Sequence, residues 1–134
     1  MPDVTNINHI SLTVSDMDRS IDWYGKVLGL GELMREEHPD GSGHAIVLGK
    51  PDWSLLVGLH THKTNDKATF SEAVTGLDHV SFGVANRAEL SAWEKKFKEL
   101  GVDHSPMNDK GAYAVVVFRD PDNIQLELIV MGDA

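Results

Sequence analysis

A chain of 134 residues with 21 acidic against 12 basic side chains carries a net charge of −9, which repels polyanions and argues against nucleic acid or anionic membrane surfaces as partners. Having no cysteine, it has no disulfide, no thiolate nucleophile and no cysteine-ligated metal, so a metal site must draw on His, Asp, Glu or Gln. No apolar run approaches the ~20 residues of a membrane span and no secretory signal is recognisable at the N-terminus, so the expectation is a cytoplasmic protein of one domain over residues 1–134.

In chain order, residues 7–14 read as a strand with β-branched Ile7, Ile10, Thr13 and Val14. Ser15, Asp16 and Asp18 supply cap and first-turn acids for a helix carrying Ile21, Tyr24, Val27 and Leu28, with Gly29 as its stop. Strands are predicted over 30–38, 44–48 and 54–60, separated by a Pro39-Asp40-Gly41-Ser42-Gly43 turn and a turn at 49–52. A polar stretch, about 62–75, reads as a linker with one helical turn near Phe70 to Val74. The pattern then restarts. Residues 77–84 form a strand, Asn86 and Glu89 have capping-box spacing, and Leu90, Trp93, Phe97 and Leu100 make a helix stripe ended by Gly101. A short strand over 102–106, a turn at Asn108-Asp109-Lys110-Gly111, a strand over 112–118, a tight turn at 120–123 and a strand over 124–131 complete the chain.

The restart is a repeat. Ile7-Asn8-His9-Ile10-Ser11-Leu12-Thr13-Val14 is echoed by Leu77-Asp78-His79-Val80-Ser81-Phe82-Gly83-Val84, and Trp23 and Trp93 follow the two histidines at the same interval. Each half has one strand, one helix and three strands, which implies an α+β fold with pseudo-twofold symmetry, module 1 spanning about 5–61 and module 2 about 76–132. A single strand histidine is ordinarily a packed or hydrogen-bonded imidazole. Two related by a repeat can face one concavity, and paired neutral imidazoles are the start of a transition-metal site. Glu127, the one charged residue of the largely apolar 124–130, is the third candidate ligand. Alternation places it with Gln125 and Ile129, opposite Leu126, Leu128 and Val130, so a solvent-facing or ion-paired Glu127 is the competing reading. Two His and a carboxylate with open positions suit non-haem iron, and Zn, Mn, Ni or Co accept similar donors. Tyr113 is a candidate proton or hydrogen-bond donor, against the simpler role of wall-filling strand residue. Trp23 and Trp93 are expected in helix-to-sheet packing, and His44, His62 and His104 at the surface or rim.

These residues resemble the vicinal oxygen chelate superfamily, the group of glyoxalases, bleomycin resistance proteins and extradiol dioxygenases. The resemblance rests on His9, on Asp22-Trp23-Tyr24 through Leu28-Gly29-Leu30, on His79 within Leu77-Asp78-His79-Val80-Ser81-Phe82, and on Phe118-Arg119-Asp120-Pro121-Asp122-Asn123-Ile124-Gln125-Leu126-Glu127-Leu128. It implies two tandem βαβββ modules forming a half-open barrel, a divalent metal (Fe, Mn, Ni, Co or Zn) on His9, His79 and Glu127, a small substrate with neighbouring oxygens, and a homodimer. The implied activity is dioxygenase-like or glyoxalase-like (lyase or isomerase). The alternative is an antibiotic-sequestering protein of the bleomycin-resistance type, without catalysis. The chain departs from glyoxalases at the first-module counterpart of Glu127, which is Val57 without a gap and Gly58 with one inserted residue. Neither has a donor side chain; His60 nearby is a fourth-ligand candidate, against the simpler reading of a non-coordinating histidine at the mouth. Asn123 stands where family members usually have Gly, and Asn is the next residue most tolerant of positive φ.

Overall fold

The computed structural model describes residues 1–134. The chain divides into two compact units, Met1–Ala68 and Thr69–Ala134. In the first, β1 (Ile10–Thr13) leads through α1 (Met17–Leu28) to β2 (Gly31–Glu37), β3 (His44–Gly49) and β4 (Leu56–His60). In the second, β5 (Val80–Gly83) leads through α2 (Arg87–Leu100) to β6 (Asn108–Asp109), β7 (Tyr113–Arg119) and β8 (Gln125–Met131). The sheets repeat one topology, β1-β4-β3-β2 and β5-β8-β7-β6, with a parallel first pair and antiparallel neighbours beyond it. This is an α+β fold of two βαβββ units.

Both helices start and stop where the sequence signals stand. Asp16 and Asn86 are the N-caps, their side chains accepting from the backbone N–H groups of Arg19 and Glu89, and Gly29 (φ 70°) and Gly101 (φ 69°) close the helices in the left-handed conformation. Each helix covers one face of its own sheet. Met17, Ser20, Tyr24 and Val27 are the buried side of α1, a stripe rotated from the expected Ile21–Leu28 one. Leu90 and Phe97 are the buried side of α2, whereas Leu100, predicted in that stripe, is 48% exposed. Beneath α2 lie Ala114, Val116, Phe118, Leu126, Leu128 and Val130, all buried. The opposite face of that sheet carries Val117, Arg119, Gln125, Glu127 and Ile129, each only half-buried. Trp23 meets Tyr24 edge-on at 4.8 Å and Trp93 lies 5.6 Å from Phe97, each contact within its own helix, and both tryptophans are half-buried.

Four expectations are corrected. β1 and β5 begin at Ile10 and Val80, so His9 and His79 stand immediately before their strands. In the second unit the reason is visible: Gln125 Nε2 donates to the carbonyl of Asp78 at 3.2 Å, a side chain taking the place of a ladder bond. Residues 102–106 do not form a strand. His104 makes an isolated bridge to Phe118, and the N–H of Val117 donates to Ser105 Oγ rather than to a main-chain carbonyl, which breaks the ladder. The predicted turn at Asn108 and Asp109 is instead the two-residue β6, paired with Ala114 and Val115. Between Ser71 and Val74 there is a turn, not a helix. Asn123 adopts φ 65°, the left-handed conformation anticipated for it.

Candidate functional site

The second unit brings His79 and Glu127 together. β5 pairs with β8 in parallel so that Ser81 lies beside Glu127, and Ser81 Oγ donates to Glu127 Oε1 at 2.7 Å. The same oxygen is 4.0 Å from His79 Nε2. Ligand atoms bound side by side to one transition metal at 2.0–2.2 Å lie roughly 3 Å apart, about an ångström closer than these two. Glu127 is half-buried (17% side-chain exposure), and the side chains beside its carboxylate are this imidazole and the Ser81 hydroxyl.

His79 is held from behind. Its Nδ1 is 2.7 Å from Asp78 Oδ1, which leaves Nε2 facing Glu127. Asp78 Oδ1 also accepts from Gln125 Nε2 at 3.1 Å, Gln125 Oε1 accepts from Arg119, and Arg119 pairs with Glu72 at 2.7 Å. A carboxylate behind an imidazole fixes its tautomer and orientation and raises its basicity as a ligand. The Arg119 guanidinium draws Glu72 down to a pKa of about 2, against an ordinary 4.5. Because the folded value lies below the unfolded one, the unfolded chain takes up the proton first as pH falls. The contribution of this pair to stability is therefore complete above about pH 4.5 and disappears as pH falls towards 2. Urea unfolding between pH 6 and pH 2.5 is expected to show a steeper stability loss in the wild type than in Glu72→Gln.

The first unit presents a matching histidine with different surroundings. His9 Nδ1 is 2.8 Å from Asn8 Oδ1, the counterpart of the Asp78–His79 contact. The register settles the fourth position. Ser11 is paired with Gly58 as Ser81 is with Glu127, so the residue matching Glu127 is Gly58 and not Val57. A Cβ on Gly58 would stand 2.5 Å from Ser11 Oγ and 3.6 Å from Nε2 of His60. His60 therefore leans over the place where a carboxylate side chain would begin. Its pKa is lowered by burial and by the neighbouring imidazoles of His38 and His62, with His9 adding to the effect and Glu36 opposing it. Its Nδ1 is 2.9 Å from His38 Nε2, and His38 Nδ1 is 3.1 Å from Ser42 Oγ. Neither His38 nor His62 was singled out from the sequence as a ligand. The His60-Thr61-His62 spacing is the signal that points to His62, since alternate residues of an extended chain share a side.

Tyr113 opens β7, 37% exposed. It shares a face with Val117, the partner of Glu127, but stands four residues along the strand, about 13 Å at 3.3–3.4 Å per residue. Val117 and Val115 also line a groove of about 380 Å³ with Ser105, Pro106, Met107 and Asn108. His44 is tied to Thr61 Oγ1, and His104 Nδ1 is 2.8 Å from the carbonyl of Ser105.

Comparison with known proteins gives the class. Residues 6–128 match the model of the Glyoxalase/Bleomycin resistance protein/Dioxygenase superfamily, and the chain belongs to that family. It is 33% identical over 135 residues to the lactoylglutathione lyase of Escherichia coli O157:H7, covering 94% of this chain and 93% of the relative. It is 25% identical over 123 residues to the "Putative ring-cleaving dioxygenase MhqA" of Bacillus subtilis (strain 168), covering 92% of this chain but only 39% of that protein. The crystal structure of a glyoxylase/bleomycin resistance protein/dioxygenase domain from Frankia sp. EAN1pec has the same fold, with a TM-score of 0.86 at 30% identity over 96% of this chain and 99% of that one. No helix is long and apolar enough to cross a membrane.

Proposed function

We propose that the two units work as one domain of a metal-dependent enzyme, in which His9, His79 and Glu127 hold a divalent ion and the substrate is a small molecule with two neighbouring oxygens. The observation that carries this reading is the pair of His79 Nε2 and Glu127 Oε1, set 4.0 Å apart on a half-buried face and supported from behind by Asp78 and Ser81. The donor types suit Fe, Mn, Ni, Co or Zn. When bound, such an ion supplies Lewis acidity to two substrate oxygens. Ser81 fixes Oε1 of Glu127, and Oε2 is the atom we assign to proton transfer with substrate. The groove along Val115 and Val117 gives the apolar part of a substrate a surface next to Glu127, and Tyr113, far along the same face, suits contact with the distal end of a larger substrate.

With Gly58 at the fourth position, three protein residues would hold the ion, and Ser11 Oγ and His60 Nε2 are the donors that border the place of the missing side chain. Names of relatives suggest two reactions to assay: the lactoylglutathione lyase reaction, and dioxygenase-type ring cleavage with oxygen uptake. Full-length protein reconstituted separately with Fe²⁺, Mn²⁺, Ni²⁺, Co²⁺ and Zn²⁺ is expected to turn over a substrate of one of these classes in a metal-dependent way. Tight binding of an antibiotic, with no metal uptake and no turnover, would instead establish the sequestering function. We further propose that the protein works as a homodimer in the cytoplasm, as the family resemblance and the composition suggest.

A further inference from the structure

We propose that His38, His60 and His62 form a second metal site, for a borderline divalent ion such as Zn²⁺, built wholly within the first unit and separate from the set on His9, His79 and Glu127. The three residues offer ligand atoms that all lie within 4.8 Å of one another. His38 Nε2 and His60 Nδ1 already face each other at 2.9 Å. Imidazole nitrogens around a tetrahedral ion at 2.0–2.1 Å are roughly 3.4 Å apart, so the rings need to pivot by an ångström or so. Three nitrogen donors disfavour Mg²⁺ and Ca²⁺, which take oxygen, and suit Zn²⁺, Ni²⁺ or Cu²⁺.

The fold brings these residues together in a specific way. β3 lies between β2 and β4, which separates the outer two by about 9.6 Å. His38, just past β2, reaches His60 at the end of β4 because the intervening chain passes through Gly43. A Cβ there would collide with the carbonyl oxygen of Thr61 and come within 3.2 Å of His38 Nδ1. The bearing segments are locked to one another through the main chain: the N–H of His38 donates to Gly43, that of Gly41 to His38, that of Thr61 to His44, and that of Lys63 to Ser42 at 2.7 Å. The imidazoles are thus held on crossed-linked backbone rather than on free loops.

Their chemistry also fits an ion. When His38 coordinates through Nε2, its proton sits on Nδ1, where Ser42 Oγ at 3.1 Å accepts it. That is the outer partner a metal-bound imidazole ordinarily has. His62 is the exposed member, so the ion has an entry path and an open position for water or a ligand.

The test is a calorimetric Zn²⁺ titration of the full chain, with Co²⁺ as an optical probe, in the background His9→Ala plus Glu127→Gln. One equivalent of Zn²⁺ and a tetrahedral-type Co²⁺ absorption are expected to remain in that background. Adding His38→Gln or His62→Gln, with circular dichroism unchanged, is expected to weaken Zn²⁺ binding by roughly 30-fold or more. No binding in the background protein, or unaltered affinity in both glutamine variants, overturns the proposal. A wild type that binds one equivalent, kept by His9→Ala plus Glu127→Gln and lost with His38→Gln, would retain this site while removing the metal from the function proposed above.

Discussion

Glu127→Gln is expected to lower the affinity for the functional metal by at least ~100-fold. Removing a group that merely supports a metal ligand typically costs 10–100-fold, and Glu127 is assigned the direct role. The substitution keeps size and the ability to accept from Ser81 Oγ, now 2.7 Å from Oε1, so the sheet is expected to fold normally. What is lost is the negative charge and the base. His79→Ala is expected to act in the same direction, and Asp78→Ala more weakly, since Asp78 touches only the far nitrogen of the ring. Equilibrium dialysis against Mn²⁺, Ni²⁺ and Zn²⁺, carried out in the His38→Gln plus His62→Gln background so that only one class of site is read, checks the order Glu127 and His79 above Asp78.

Phe118→Ala is expected to destabilise the second unit by about 3–5 kcal/mol, a large part of the 5–15 kcal/mol that holds an ordinary domain folded. Phe118 is completely buried and stacks on Phe97 of α2, ring centroids 4.6 Å apart at 29°. Phe97 is in turn buried and lies 5.6 Å from the ring of His104. Truncation therefore leaves a cavity at the joint between helix and sheet, with rigid neighbours that cannot collapse into it. Tyr113, on the same strand but 37% exposed, is the control, and its alanine variant is expected to cost less than about 1 kcal/mol. Urea denaturation of both variants reads the difference directly.

What the sequence conveys about this fold is mostly local. Asp16, Asn86, Gly29 and Gly101 mark helix ends because a cap is decided by one side chain and its nearest N–H groups, or by one backbone conformation. The inward face of β8 is likewise readable, since Leu126, Leu128 and Val130 alternate with Gln125, Glu127 and Ile129 and the former are buried. The register of β4 is not. Choosing between Val57 and Gly58 as counterpart of Glu127 turns on a one-residue slip, which flips every side chain, and only the pairing of Ser11 with Gly58 decides it. The His38–His60 contact is further from view. It joins residues 22 apart across an intervening strand, and depends on what Gly43 lacks rather than on any donor it has. Residues 102–106 mislead for a related reason: their composition suits a strand, but Ser105 Oγ captures the N–H of Val117 that a ladder would need.

The duplicated histidines acquire different settings from the two ladders. In the second unit, His79 has a carboxylate in front and a carboxylate behind. In the first, His9 has an amide behind, and the strand position matching Glu127 is a glycine overhung by His60. In the function proposed above, three protein residues would hold the ion, because the first unit offers no carboxylate counterpart of Glu127.

The most direct measurement is the metal content of the full-length protein purified without chelator or added metal, after the His38→Gln and His62→Gln substitutions have removed the second class of site. About one divalent transition-metal ion per chain, falling to near zero when Glu127→Gln is added, is the predicted result. A chain that copurifies with no metal and takes none up, or one whose metal content is indifferent to His9→Ala, His79→Ala and Glu127→Gln, would contradict it.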